Sequence, residues 1–231
     1  MKKQLIFFVL IYGMLTSCKQ ESNEVKTKLK NEELLNTKTE SMVITKIDSS
    51  ELPKSLKYSG FIKNAVRWND NQGENILITT ETGIYTNEKF EHENDGSDAE
   101  LYAYHFIVKD NELFQTWQVY DYIKDCSVDI EATFVKNTLQ VTDLDKNGIA
   151  EIWLMYKKVC HGDVSPSEMK VIMYEGNKKF AMRGENKVFA GIDNNGKKQF
   201  YGGEYKFDKE FKNGSRVFKN YALNLWNKNI M

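Results

Sequence analysis

Proline is nearly absent from this 231-residue chain, with only Pro53 and Pro166 present. Proline cannot donate to a β-ladder, so its scarcity leaves long stretches free to run as uninterrupted strands. Cysteine is equally sparse, at three residues. A thiolate zinc centre needs four ligands at characteristic spacings, which two of these cysteines and the lone His161 beside Cys160 do not supply. No charge of one sign dominates: 32 Lys and Arg stand against 33 Asp and Glu. With no basic run either, nucleic acid is not expected as a partner. The one long apolar run, residues 5–15, is too short to span a bilayer as a helix, which takes about 20 residues.

That run fits the h-region of a secretory signal, with Lys2 and Lys3 as its basic n-region. It leads into Leu15-Thr16-Ser17-Cys18, which resembles the lipobox of bacterial lipoproteins. The resemblance implies removal of residues 1–17 and acylation of Cys18, whose lipid chains would anchor the protein to a membrane. Lys19, rather than Asp, follows the cysteine, and in that family this implies the outer membrane, with the face undetermined. Loss of Lys2 and Lys3 leaves 30 basic against 33 acidic residues, a mature charge of −3. Residues 18–52 are rich in Lys, Glu, Asn, Ser and Thr, a composition too poor in apolar surface to offset chain entropy. A flexible tether with a reach of roughly 30 Å is expected there, joined late by a strand over 42–45. Residues 53–231 are then enough for a single domain.

Within that domain, short apolar and aromatic runs alternate with turn residues. Strands are expected over 57–68, 75–81, 99–109, 112–123, 127–135, 139–143, 151–159, 169–175, 179–183 and 199–207. The fold class is mainly β: antiparallel sheets joined by hairpins, with one C-terminal α-helix. That helix is capped by Ser215 and runs to about Lys228, with Phe218, Tyr221 or Ala222, Leu225 and Trp226 as its apolar stripe. In strand 99–109 both faces are apolar, which expects a central strand with His105 as a hydrogen-bonded core residue. Phe114, Tyr120 and Tyr122 share one face of the next strand, and aromatics so arranged either pair across strands or stack on sugars. The acidic residues Glu88, Glu91, Glu93, Asp95, Asp98 and Glu100 read as a solvated loop around Gly96.

The stretch Asp143-Leu144-Asp145-Lys146-Asn147-Gly148-Ile149-Ala150-Glu151 carries the clearest site signal. Asp143, Asp145, Asn147, the Ile149 carbonyl and Glu151 fall at loop positions 1, 3, 5, 7 and 9, with glycine at position 6 for the sharp turn. Position 12 is Leu154, so the loop is not an EF-hand. It resembles the calcium loop between strands in FG-GAP and integrin-type repeats, which implies Ca²⁺ as the cofactor. The competing reading is a plain hairpin turned by Asn147-Gly148. Shortened echoes occur at Trp68 to Gly73 and Asp193 to Gly196, but the three glycines lie 75 and 48 residues apart, so no propeller period emerges.

With Cys18 assigned to lipid, Cys126 and Cys160 are expected to pair as a disulfide in an exported chain. The block Cys160-His161-Gly162-Asp163-Val164-Ser165-Pro166 gathers a nucleophile, a base and a carboxylate. Adjacent residues on an extended strand point to opposite sides, so a disulfide-tied loop is favoured over a catalytic unit. This block, with Trp68, Asp70, Gly73, Glu74, Asn75, residues 141–153, Met169-Lys170, residues 173–176 and Arg183-Gly184, is similar to a family of flavobacterial lipoproteins. The family is labelled "surface polysaccharide biosynthesis protein", and the similarity spans roughly residues 58–190. It implies a role in assembling or displaying a surface glycan, with glycan or envelope proteins as partners, and supplies no catalytic residues. A non-enzymatic, outer-membrane-anchored protein is therefore expected. The alternatives are a glycan-modifying enzyme using His161 and Asp163, with Glu151 a further carboxylate, or a structural, adhesive module.

Overall fold

In the computed structural model, which describes residues 42–231, thirteen strands make two sheets and a separate ribbon. The first sheet runs in chain order: β1 (Thr45–Lys46), β2 (Phe61–Asp70), β3 (Gly73–Tyr85), β4 (Ser97–Lys109) and β5 (Glu112–Cys126). Its turns follow from the residues at them. Asp110 and Asn111, between β4 and β5, both take positive φ (52° and 63°), the conformation that matches the twist of flanking strands. The second sheet is built from β6 (Asp129–Phe134), β7 (Gln140–Thr142), β8 (Glu151–His161), β9 (Glu168–Glu175), β10 (Lys178–Glu185) and β13 (Tyr205–Phe207). Its order is β13-β10-β9-β8-β6, with β7 also paired to β8. Strands β11 (Lys187–Ile192) and β12 (Lys198–Gly202) pair only with each other, and α1 (Lys209–Asn213) and α2 (Arg216–Lys228) complete the chain.

The expected antiparallel, mainly β class is what the structure has, and Ser215 does cap the C-terminal helix, accepting the Val217 N–H. Four details differ. The expected strand over 199–207 is split between β12 and β13 because Gly202 and Gly203 both adopt positive φ (70° and 101°), which turns the chain out of one sheet and into another. Strand β11 has no counterpart in the expectation. Helix α1 is additional, started by Asp208, whose carboxylate accepts the Phe211 N–H at 2.9 Å. The strand expected over 42–45 lies instead at Thr45–Lys46, where β1 pairs with β2, and just after it Ile47 is buried with Leu52 packed beside it. The signal, Cys18 and the tether up to residue 41 lie outside the described residues.

Four layers explain why the strands read apolar on both faces. Between the sheets lies a core that draws Trp68, Leu77, Leu101 and Val119 from the first and Ile152, Leu154, Ile172 and Ala181 from the second. Trp117 stacks on Tyr174 across this interface, with centroids 4.0 Å apart. The outer face of the second sheet (Trp153, Met155, Val171, Met173, Met182) is covered by Phe211 of α1 and Phe218, Ala222 and Trp226 of α2. The outer face of the first (Ile76, Ile78, Tyr104, Phe106) is covered by Ile47 and Leu56. His105 lies in the interior, between Thr116 (2.6 Å) and Asn75 (3.1 Å), and burial lowers its pKa to about 4, so it is a neutral core residue. Met42–Met231 form one compact unit, and the described strand pairings, the three cores and the disulfide are internal to it, the basis for its folding on its own.

Two cross-links close the same side of the sandwich. Cys126 at the end of β5 is bonded to Cys160 on β8, with Cα atoms 5.8 Å apart, so the disulfide joins one sheet to the other. Nearby, Asp121 of β5 accepts from Lys158 (2.7 Å), Lys170 (2.5 Å) and the Tyr156 hydroxyl (3.0 Å), all from the second sheet. Glu168 accepts from the same two lysines at 3.2 and 2.9 Å. Burial alone would raise the Asp121 carboxyl; the two ammonium groups override it and hold the pKa below the ordinary aspartate range.

Replacing both Cys126 and Cys160 by serine is expected to lower unfolding stability by about 3–4 kcal/mol, the chain-entropy value for a loop of this size, measured by denaturant titration. Asp121→Asn leaves two half-buried lysines without a full counter-charge and is expected to cost roughly 3 kcal/mol near neutral pH. Because the folded-state pKa of Asp121 is depressed, this contribution is present above 3.8 and is lost as pH falls through the folded value. Unfolding curves of wild type and Asp121→Asn should therefore converge in acid; a gap that stays constant below that range would contradict the assignment.

Candidate metal centre and an acidic tyrosine cleft

The loop from Asp143 to Ala150 joins β7 to β8, and its register is closed by Thr142 opposite Glu151. Eight residues therefore lie in the turn, which corrects the plain two-residue hairpin through Asn147-Gly148. Lys146 and Gly148 carry positive φ (61° and 80°), and a Cβ on Gly148 would lie 2.0 Å from Asn71 Nδ2. Only glycine fits there. The neighbouring β2–β3 turn presses on the loop: Asn71 N–H donates to the Gly148 carbonyl (2.8 Å), Asn71 Nδ2 to the Asn147 carbonyl (3.1 Å), and Asp70 accepts the Ala150 N–H (3.1 Å). Two of the motifs that echo each other along the sequence are thus in direct contact. The third, at Asp193, is a self-contained turn in which one carboxylate accepts from Asn195, Lys197 and Gln199.

Oxygens of Asp143, Asp145 and Glu151 lie within 4.8 Å of one another. Asp143 Oδ2 accepts the Gly148 N–H at 3.1 Å, whereas its Oδ1 is buried with no hydrogen-bond partner. Glu151 is fully buried, accepts from the Leu144 N–H and the Thr142 hydroxyl, and is raised by that burial above the ordinary glutamate value. Asn147 folds inward: its Oδ1 accepts the Ile149 N–H (2.7 Å) and its Nδ2 donates to Glu175 (2.7 Å) and Asp145 (3.2 Å). Glu175, at the end of β9, is a fourth carboxylate that the loop sequence alone does not contain. Its carboxyl is raised, first by burial and then by Asp145 within hydrogen-bonding reach. Three acids converging on one point, a fourth in contact with Asp145 and one orphaned oxygen fit a hard, oxygen-seeking cation.

At the second motif, His161 Nδ1 stands 3.9 Å from Asp163 Oδ1, beyond hydrogen-bond distance, and Asp163 instead accepts the Ser165 N–H at 2.8 Å. Cys160 is held in the disulfide and offers no thiolate. The nucleophile, base and orienter of the sequence block are not assembled into a relay.

A different site comes from the acidic stretch expected to be solvated. Asp98 and Glu100 are buried, at 0% and 5% exposure, on the same face of β4 as Tyr102 and Tyr104. Burial would raise Asp98, but the N–H groups of Asn87 and Asp125 and the His92 ring outweigh it and leave it low. This fixes residues 87–96 against the end of β5, where Gly96 lies too close to the Asp125 backbone for any side chain. Glu100 faces a cleft of about 460 Å³ lined by Ser59, Tyr85, Asn87, Phe90, Tyr102 and Tyr120. It accepts from the Tyr85 hydroxyl, the Tyr120 hydroxyl (2.6 Å) and Asn87 Nδ2 (3.3 Å). Burial first, and Glu100 second, push the Tyr85 and Tyr120 hydroxyls up and Tyr102 to about 12, so these groups remain protonated donors. The rings form a ladder: Tyr102 on Tyr120 at 4.9 Å, Tyr120 on Tyr122 at 5.3 Å, Tyr122 on Phe90 at 5.1 Å. They stack mainly on one another, so the cleft offers ring edges and hydroxyl groups more than an open flat platform.

The period-two spacing Asp98, Glu100, Tyr102, Tyr104 was the signal for this site, since it puts the acids on the tyrosines' face. Glu175 and Asp70, by contrast, join the loop at residues 143–151 only through strand pairing and turn docking. Among protein-family models, curated proteins and solved structures, none matches this chain, so the geometry of these two sites carries the functional argument.

Proposed function

We propose that this chain is a lipoprotein of the outer membrane, anchored through Cys18, with a non-enzymatic role in holding surface polysaccharide. The observation that carries the glycan part is the cleft around Glu100: an acceptor carboxylate beneath tyrosyl hydroxyls, with aromatic edges at the rim. Sugar rings present donors and acceptors at their edges, and such a cleft answers them with tyrosyl hydroxyl groups between apolar ring edges. The lipobox and the resemblance to surface-polysaccharide lipoproteins point the same way. The enzyme alternative is disfavoured by the 3.9 Å gap between His161 and Asp163 and by the engagement of Cys160. The test is calorimetric titration of the Met42–Met231 unit with polysaccharide from the producing cell. Tyr120→Ala is expected to weaken binding about tenfold, equivalent to about 1.4 kcal/mol, and His161→Ala to leave it unchanged. Release of new reducing ends that depends on His161 would establish the enzyme instead.

The loop at residues 143–151 is read as a calcium site that stiffens the domain. Asp143, Asp145 and Glu151 would supply carboxylate oxygens, and the Ile149 carbonyl is available at loop position 7, while Asn147 Oδ1 is engaged by the Ile149 N–H and would have to turn to join them. Glu175 is the carboxylate next in line. Ca²⁺ is favoured over Mg²⁺ because a flexible all-oxygen loop does not impose a near-ideal octahedron. At ten times the dissociation constant, linkage would add about 1.4 kcal/mol of stability. Thermal unfolding is expected to rise with calcium, rise little with magnesium at matched ionic strength, and lose the calcium response in Asp143→Ala/Asp145→Ala. Equal melting with calcium, magnesium and chelator would leave the loop as a turn without a cation.

A further inference from the structure

Among the described residues the β11–β12 ribbon pairs with neither sheet, and beyond its base both of its outer edges are unpaired. An isolated two-stranded ribbon of this kind is marginal in water unless something braces or covers it. Its base is braced: the Lys187 N–H donates to the Ile230 carbonyl at 2.5 Å, and the Gly203 N–H donates to the Glu185 carbonyl at 3.2 Å. Beyond the base, Phe189 (47% exposed) and Phe200 (36%) sit opposite each other in register. The register then slips by one residue between Phe189 and Gly191, which brings Ile192 (63% exposed), opposite Lys198, onto the Phe200 face. Without that bulge Ile192 would point to the other side. The ribbon therefore gathers three exposed apolar side chains on one face. Cationic residues border them: Lys187, whose ammonium lies 4.7 Å from the Phe200 ring, Lys198 opposite Ile192, and Lys197 at the tip. Against these three lysines the ribbon has one acid, Asp193, which is engaged in the tip turn.

We propose that this ribbon docks on an anionic phospholipid surface, with Phe189, Ile192 and Phe200 entering the headgroup boundary and the lysines pairing with lipid phosphates. Aromatic and aliphatic side chains flanked by lysine are the composition that partitions to that boundary, where stems lie in the apolar layer and ammonium groups in the polar one. Charge complementarity argues for lipid over a second copy of this chain, since two ribbons face to face would oppose lysine with lysine.

The experiment uses the Met42–Met231 unit, which has no anchor, so its outcome does not depend on whether Cys18 is acylated. Co-sedimentation is measured with vesicles of phosphatidylcholine alone and with vesicles in which phosphatidylglycerol replaces part of it. The expected result is binding to the anionic vesicles that weakens with salt. Partitioning should fall at least tenfold in Phe189→Ser/Ile192→Ser/Phe200→Ser, and more modestly in Lys197→Glu/Lys198→Glu. Phe189→Trp provides a second reading that does not rely on a loss of binding: the indole emission it adds should shift to the blue and be quenched by brominated lipid. No binding to anionic vesicles, binding unchanged in the triple variant, or an added emission in Phe189→Trp that brominated lipid leaves unquenched would each overturn the proposal. Concentration-dependent dimerisation abolished by the triple variant, without vesicle binding, would assign the ribbon to a second copy of the chain instead.

Discussion

Burial of one apolar face shared by two sheets is the constraint on which the rest of this structure depends. Strands from both sheets contribute to the central core, and Trp117 against Tyr174 marks its closest aromatic approach. A sheet with one buried face can leave its other face in water, but here both outer faces are apolar as well. The chain resolves this by laying residues 47–56 over one and α1 and α2 over the other. The two ends of the domain are thus lids on a sandwich, and the cross-links from β5 to the second sheet hold that sandwich together along one side.

Acids drawn wholly or partly out of water are the second theme, and each is compensated by a different chemistry. An unpaired buried carboxylate costs several kcal/mol, so each one must be answered by donors or cations. Asp98 is answered chiefly by backbone N–H groups, Glu100 by tyrosyl hydroxyls, Asp121 by two lysines. Asp143 is the exception, with one buried oxygen that has no partner. The contrast separates acids answered by donors of the fold from a cluster that leaves one buried carboxylate oxygen unanswered. Glu100 stands between these cases, since its donors hold it in position while the carboxylate still borders the cleft.

How much of this was legible in the sequence depends on how local each signal was. Strand identity, the C-terminal helix, the core role of His105 and the proximity of Cys126 to Cys160 all follow from periodicity, capping or compartment chemistry. The convergence of Asp143, Asp145 and Glu151 was equally readable, because all three acids lie within nine residues. Glu175 and Asp70 were not, since a β9 strand end and a distant turn reach the loop only in three dimensions. Asp98 and Glu100 were misread as solvated because charge density outweighed their alternation with Tyr102 and Tyr104. Strand β11 was missed because Gly191 and a bulge interrupt its alternation, and the break after β12 hinges on two glycines inside an aromatic run.

The central claim is that the cleft around Glu100 receives a glycan. The most direct measurement is backbone and tyrosine NMR of isotope-labelled Met42–Met231 during titration with oligosaccharides cut from the surface polysaccharide of the producing cell. Shifts confined to Ser59, Tyr85, Asn87, Tyr102, Tyr120 and Tyr122, with His161 and Asp163 unmoved, are the expected result. Perturbations centred on residues 160–166, or none at saturating sugar, would contradict it.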